Sequence, residues 1–202
     1  MWQALLLAAG IKNSSRILIN GFITVNGQKM SKSLGNVIAP DEMKARYDTD
    51  GTRYLLLTAG SFGEDTDITW ERMDEKYNAD LANGIGNLIS RVIKLSEEID
   101  WQTQKSAVDW NNWEKQLAQG DFDQILKDIW VKIKTTDKLM EEKKPWELKK
   151  KDKKEFEKVM NDLLGNIKWI GQALQPFLPE TAEKIAKAIR KRKTEPLFKR
   201  LK

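Results

Sequence analysis

The chain has 202 residues, 40% of them hydrophobic, enough for one large packed domain or two small ones. It contains no cysteine and no histidine, which excludes a disulfide framework, a thiolate or imidazole metal centre, and histidine acid–base catalysis. The net charge of +5 is unevenly laid out: residues 61–142 carry 18 acids and 10 bases, whereas residues 143–158 carry 8 lysines against 4 acids and residues 184–202 carry 9 bases against one acid. Basic segments gathered toward one end fit a polyanion partner, and they fit an ordinary solvated lysine face too. No apolar run is long enough to span a membrane and the opening residues lack a signal-peptide pattern, so the cytoplasm is the compartment expected by default.

Met1 to Ala9 is an apolar, helix-like run closed by Gly10, a residue suited to a helix C-terminal cap. Arg16 to Asn20 and Phe22 to Val25 are β-rich, and the second ends at Asn26-Gly27, a pair that favours a primed turn with positive φ. The loop Lys29-Met30-Ser31-Lys32-Ser33 follows at once. Two lysines three residues apart among small hydroxyl residues place two mobile ammonium groups where a polyphosphate can be gripped. The plainer reading is a Lys/Ser-rich surface loop without a ligand. Pro40, whose fixed φ suits a first helical turn, opens a short helix through Tyr47, and Asp50 is placed to cap a second one carrying Arg53 to Leu57.

Beyond Thr69 the pattern is helical. Tyr77, Leu81, Ile85, Leu88, Val92 and Leu95 recur at three- and four-residue steps and form one apolar stripe. Gly84 and Gly86 inside it each cost up to about 1 kcal/mol of helix propensity, which points to close packing or a bend. Phe122, Ile125, Ile129, Ile133 and Met140 make a second stripe, and Phe156, Val159, Leu163, Ile167 and Leu174 a third. Pro179 starts a last helix with Ala182, Ile185, Ala186 and Ile189 expected inward. Four amphipathic helices with polar connections predict a bundle. The stretch Trp101 to Asn112 carries no readable pattern, and Trp110 and Trp113 are left unassigned. The switch from mixed short segments to helical stripes divides the chain into residues 1–68 and 69–202.

Lys29 to Ser33 is the lysine signature of class I aminoacyl-tRNA synthetases, and the wider run Asn20 to Asn36 resembles the methionyl-tRNA synthetases. The resemblance extends to Met1–Gly10, Asp50–Leu57, Phe62-Gly63-Glu64-Asp65, Tyr77–Asn83 with Gly86-Asn87-Leu88, Lys144-Pro145-Trp146 and Glu195–Phe198; it is weakest from Trp101 to Gly120. It implies a mainly α chain: a short α/β remnant of a class I nucleotide-binding domain, then an anticodon-binding α-helical bundle. It also implies a ligase that uses ATP with Mg2+ as substrate to attach methionine to tRNA(Met), with no metal site in this chain. In that family Lys32 is the principal catalytic contact to the departing pyrophosphate and Lys29 supports it, while Met30, Ser31 and Ser33 complete the ATP-binding loop. Cations placed where charge develops lower a barrier more than they tighten ground-state binding.

On residue type alone Asn87 and Arg91, four apart on one helical face, fit an exposed polar pair, and Trp146 fits a loop anchor. The resemblance implies instead that Asn87, Arg91 and Trp146 bind the anticodon, Trp146 by stacking, as suits unstacked single-stranded bases. Two positions depart from the family pattern. Asn20 replaces a histidine, so that side chain can donate and accept hydrogen bonds without carrying the same charge, and Ala39 replaces a capping aspartate, at a cost of roughly 1 kcal/mol to the helix it precedes. A chain without histidine also cannot hold the family's His-Ile-Gly-His signature. The chain is therefore expected to be the C-terminal part of the enzyme, inactive without the N-terminal catalytic half. The alternatives are a fragment of a leucine, isoleucine, valine or cysteine enzyme, and a free-standing helical RNA-binding module that keeps the loop as a relic.

Overall fold

The computed structural model describes residues 1–97, 99, 107–193 and 195–201. Residues 101–106 of the unreadable stretch, and Thr194 and Lys202 of the basic tail, lie outside the described residues. Helix α1 (Trp2–Ala8) precedes a small sheet of β1 (Ile23–Val25), β2 (Gln28–Lys29) and β3 (Thr66–Asp67), in the order β2-β1-β3. The other regular elements are helical: α2 (Pro40–Leu57), α3 (Trp70–Lys76), a π-helix (Tyr77–Gly86), α4 (Asn87–Leu95), a 3-10 turn (Trp110–Trp113), α5 (Glu114–Gln119), α6 (Phe122–Lys143), α7 (Pro145–Lys151), α8 (Lys153–Leu174) and α9 (Pro179–Lys191), with a further 3-10 turn in the lysine loop.

The Asn-Gly expectation holds. Asn26 and Gly27 both have positive φ, 53° and 71°, and turn β1 antiparallel into β2 with Thr24 opposite Lys29. On its other side β1 runs parallel to β3, with Ile23 opposite Thr66. Gly21 sits where a Cβ would lie 2.0 Å from the Glu64 carbonyl oxygen, so only glycine allows the two backbones to cross there. Arg16 to Asn20, expected as a strand, forms none. It finds no ladder partner among the described residues, and Ile17, Leu18 and Ile19 are 59–74% exposed. α1 likewise buries no residue.

The apolar stripes pack as a bundle with α8 at its centre, against α4, α6, α7 and α9. Leu81, Ile85, Ile125, Ile129, Leu163 and Ile167 are fully buried. On α9 the inward face is Ala182, Ile185, Ala188 and Ile189; Ala186, expected inward, is exposed. A Cβ at Gly171 of α8 would lie 3.0 Å from Ile185, and that close contact fixes the rotation of α9. Of the close packing or bend expected at Gly84 and Gly86, the structure shows close packing, of backbone against backbone. They close the π-helix, where a Cβ on Gly86 would meet the Leu81 carbonyl oxygen at 2.9 Å. The chain end folds back on this helix: Leu201 N–H donates to Asn78 Oδ1 at 2.9 Å, and Phe198 packs edge-on against Tyr77. The unassigned tryptophans are structural. Trp113 is buried against Trp110 and Trp169, with Nε1–H donating to Asp128 at 2.9 Å.

α2 joins the sheet end to the bundle. It is broken at Asp48 (φ 60°, ψ 178°), a conformation that costs any residue but glycine. The first half is held through Arg46 and Tyr47, which both donate to Asp74 of α3. The second half stacks Tyr54 on Trp130 of α6 at 4.4 Å. Asp50 does not cap its own helix. Its carboxylate turns inward and Oδ2 accepts the Thr181 N–H at 2.6 Å, because Leu178, at the N-cap position before α9, offers no side-chain acceptor. Three residues on, Arg53 donates to the Phe177 and Pro176 carbonyl oxygens at the α8–α9 corner. Ala39 leaves α2 without a side-chain acceptor at its start, but Glu42 reaches back to the Ala39 N–H at 3.2 Å, half of a capping box.

Candidate nucleotide loop and nucleic-acid interface

The lysine loop is carried by a pinned hairpin. Asp67 of β3 accepts the Gly27 N–H at 2.7 Å and the Thr24 hydroxyl at 2.9 Å, and these bonds, the first above all, hold its carboxyl below the usual carboxylate range. Beyond β2 the chain makes one 3-10 turn, Lys32–Leu34, which ends at Gly35 with φ 66°. Ser31 and Ser33 hydroxyls lie 2.8 Å apart, and Asn36 Oδ1 accepts the Ser31 N–H at 2.8 Å. Lys29 Nζ rests over the Phe22 ring, 4.4 Å from its centroid, a cation–π contact. Met30 and Ser31 are half-buried; Lys29, Lys32 and Ser33 are exposed. The loop thus offers two exposed ammonium groups and two hydroxyls, with the hydroxyls already paired.

The second group of predicted residues converges at the bundle. α4 carries Asn87 and Arg91 one turn apart, and α7, which begins at Pro145, brings Trp146 over Arg91: the guanidinium carbon lies 5.6 Å from the ring centroid. The positive φ of Lys144 (44°) makes the sharp turn from α6 into α7 that this approach needs. Trp146 keeps 36% exposure and Asn87 is exposed. Arg91, which by residue type fits half of an exposed polar pair, is half-buried and held by two carboxylates. Its Nη1 donates to Asp137 at 3.4 Å and its Nη2 to Glu141 at 2.6 Å, both from α6. Asp137 and Glu141 are one helical turn apart and opposite Arg91, so their geometry, invisible from the α4 sequence, fixes its direction. Beside Asn87 opens a cleft of about 380 Å³, lined by Asn83, Asn87, Ser90 and the tail residues Pro196 to Phe198. Sequence reasoning passed over Asn83 and Ser90, although their spacing from Asn87 puts all three on one face.

The two groups lie on different elements and share no residue. What they offer is distinct: cations and hydroxyls at the loop, and an exposed indole, a guanidinium and an amide at the bundle. Basic residues Lys143 to Lys158 flank the second group along α7 and α8. Among the described residues no group of three or more carboxylates could hold a metal, and no helix is long and apolar enough to cross a membrane.

Residues 1–93 match the family model described as tRNA synthetases class I (M). The chain is 33% identical over 201 residues to the methionine–tRNA ligase of Lactococcus lactis and 35% identical over 204 residues to that of Fusobacterium nucleatum, matches covering 91% and 92% of this chain and 30% and 32% of the relatives. The structure superposes on Mycobacterium tuberculosis methionyl-tRNA synthetase in complex with methionyl-adenylate with a TM-score of 0.79 at 27% identity, covering 92% of this chain and 40% of that one. The chain therefore spans about a third of the length of the curated relatives it matches. In sequence and in fold, it belongs to the methionyl-tRNA synthetase family.

Proposed function

We propose that this chain contributes the ATP loop and the anticodon-reading surface of a methionine–tRNA ligase. The reaction is the attachment of methionine to tRNA(Met) through a methionyl-adenylate, with ATP and Mg2+ as substrate. In this reading residues 1–68 are the end of the catalytic domain, with the loop and the connecting segment, and residues 69–202 are the helical anticodon-binding domain. The division follows chain order more than packing, since the second half of α2 is anchored in the bundle through Asp50, Arg53 and Tyr54.

At the loop, the carboxylate of methionine attacks the α-phosphate of ATP and pyrophosphate leaves with growing negative charge. Lys32 opposes that charge, Lys29 supports it after leaving the Phe22 ring, and Met30, Ser31 and Ser33 line the polyphosphate. At the bundle, Trp146 stacks on a splayed base while Asn87, and Arg91 through the guanidinium N–H groups that Asp137 and Glu141 leave over, address base edges. Lys143 to Lys158 and the basic residues from Lys184 onward contact phosphates, giving affinity without sequence preference. The observation that carries the reading is the Arg91–Trp146 contact: 55 positions apart in sequence, the two fall 5.6 Å apart in space, one turn from Asn87.

Adenylate formation needs this chain together with the N-terminal catalytic half that carries the histidine signature. Titrating methionine tRNA against the chain, with and without ATP, tests both sites. Binding of both ligands is expected. A chain that binds RNA and ignores nucleotide is a helical RNA-binding module with a relic loop, and one that binds neither overturns the reading.

A further inference from the structure

The lysine loop is clipped across its mouth by one side chain. Asn36 accepts the Ser31 N–H with Oδ1 at 2.8 Å and donates from Nδ2 to the Lys29 carbonyl oxygen at 3.3 Å. It thus ties the residue leaving the loop to the two residues entering it. Between these tie points the backbone turns on its own bonds, Leu34 N–H to Ser31 O at 3.1 Å and Gly35 N–H to Lys32 O at 3.3 Å. A single 3-10 turn bonded in this way is a weak element on its own. Its flanks differ in firmness: β2 is paired to β1 and pinned through Asp67, and Ile38 is buried on the far side, while residues 32–35 are exposed. Asn36, half-buried between these flanks, joins them.

We propose that Asn36 is the positioning residue of this loop, holding the Lys29 and Ser31 backbone so that Lys32 and the serine hydroxyls are presented together to a pyrophosphate-like anion. The inference rests on the nucleotide reading of the loop above and adds to it a residue that touches no substrate. Asparagine suits the task because a single amide both accepts from one backbone group and donates to another; aspartate accepts only, and alanine does neither. Without the clip the loop keeps its charges and loses their arrangement, so affinity falls while the number of ions exchanged on binding does not.

The test uses the intact chain and inorganic pyrophosphate, with two readouts. By amide hydrogen exchange, Asn36→Ala speeds exchange at Ser31 by about tenfold, the value of one ordinary hydrogen bond, and Asn36→Asp, which keeps the acceptor, leaves it protected. By calorimetric titration over a range of salt, Asn36→Ala weakens pyrophosphate binding by about tenfold with the slope against salt unchanged, whereas Lys32→Ala flattens that slope. The bundle's melting temperature stays that of the parent chain in all three variants, since residues 32–35 are exposed and outside its core. Unchanged Ser31 exchange in Asn36→Ala overturns the clip. Faster exchange with unchanged pyrophosphate affinity overturns its positioning role. If the parent chain binds no pyrophosphate, the nucleotide reading of the loop fails, and with it the role assigned here, while the exchange arm still decides whether the clip exists.

Discussion

Asp50→Ala probes the least obvious joint in the molecule. The Asp50 carboxylate, 3% exposed, caps α9 from α2 across 131 residues of sequence through one bond to Thr181 N–H. Removing it forfeits a charge-assisted hydrogen bond worth about 1.5–3 kcal/mol and leaves a buried donor without an acceptor. It also removes a negative charge from the positive end of a 13-residue helix, an effect of up to about 2 kcal/mol when partly buried. Against these losses, Asp50 Oδ1 is buried without a partner among the described residues, so the substitution relieves part of a desolvation cost. The balance is a loss of about 2 kcal/mol, or roughly 4–8 °C in melting temperature for a chain of this length. Asp50→Asn, which keeps an oxygen acceptor and drops the charge, costs about 1 kcal/mol. Urea unfolding gives the magnitude, and hydrogen exchange locates it: protection is lost at Thr181 and its neighbours in α9. Stability within about 0.5 kcal/mol of the parent, or a loss confined to the first turn after Asp48, refutes the remote cap.

Three further outcomes follow from the same packing and chemistry. The only three tyrosines, Tyr47, Tyr54 and Tyr77, have phenols held above their ordinary value, chiefly by burial and then by nearby Asp74, Asp80 and Asp48. Folded phenols stay protonated where unfolded ones ionise near pH 10, so stability falls as pH rises past about 10, and tyrosinate absorbance grows only as the chain unfolds; absorbance rising before unfolding contradicts this. In acid the sign reverses: Arg46, then Tyr47, hold the Asp74 carboxyl below its usual value, so its contribution is full above about pH 4 and lost as pH falls through the depressed value. Asp74→Asn should flatten that acid limb in a melting-temperature series, and an unaltered limb refutes the assignment. Gly86→Ala places a methyl 2.9 Å from the Leu81 carbonyl oxygen and should cost about 1–3 kcal/mol in urea unfolding, against a gain for the same change in an ordinary helix.

The parts legible in the sequence are those set by local chemistry. Helical stripes were readable because burial on one face imposes its own period, and the hairpin because Asn26-Gly27 accepts positive φ at two successive residues. What could not be read depends on contacts distant in sequence. Asp50 looks like a local cap until α9 is folded beside it. Arg91 looks free until α6 places Asp137 and Glu141 opposite. The π-helix hid behind Gly84 and Gly86, which read as close packing or a bend, because glycine records a need for backbone space without saying which carbonyl claims it. Arg16 to Asn20 misled in the other direction: β-propensity alone makes no strand when no neighbour supplies a ladder. At the candidate site the sequence marks the residues, through resemblance to a family, while the 5.6 Å approach of Arg91 to Trp146 comes only from the turn at Lys144.

Whether the bundle reads an anticodon is measured most directly with Trp146→Ala in competition binding between methionine tRNA and the same tRNA with an altered anticodon. The parent chain should prefer the matched tRNA. Trp146→Ala should lose the stacking contribution of about 1–3 kcal/mol from the matched tRNA alone, because only an anticodon whose base edges meet Asn87 and Arg91 is held splayed against the indole; the preference then goes while affinity for the altered tRNA stays nearly constant. Neutralising Lys149, Lys150 and Lys151 should do the opposite, weakening both RNAs alike and reducing the dependence on salt. If Trp146→Ala binds the two RNAs with the parent's preference intact, the surface formed by Asn87, Arg91 and Trp146 is not where the anticodon is read.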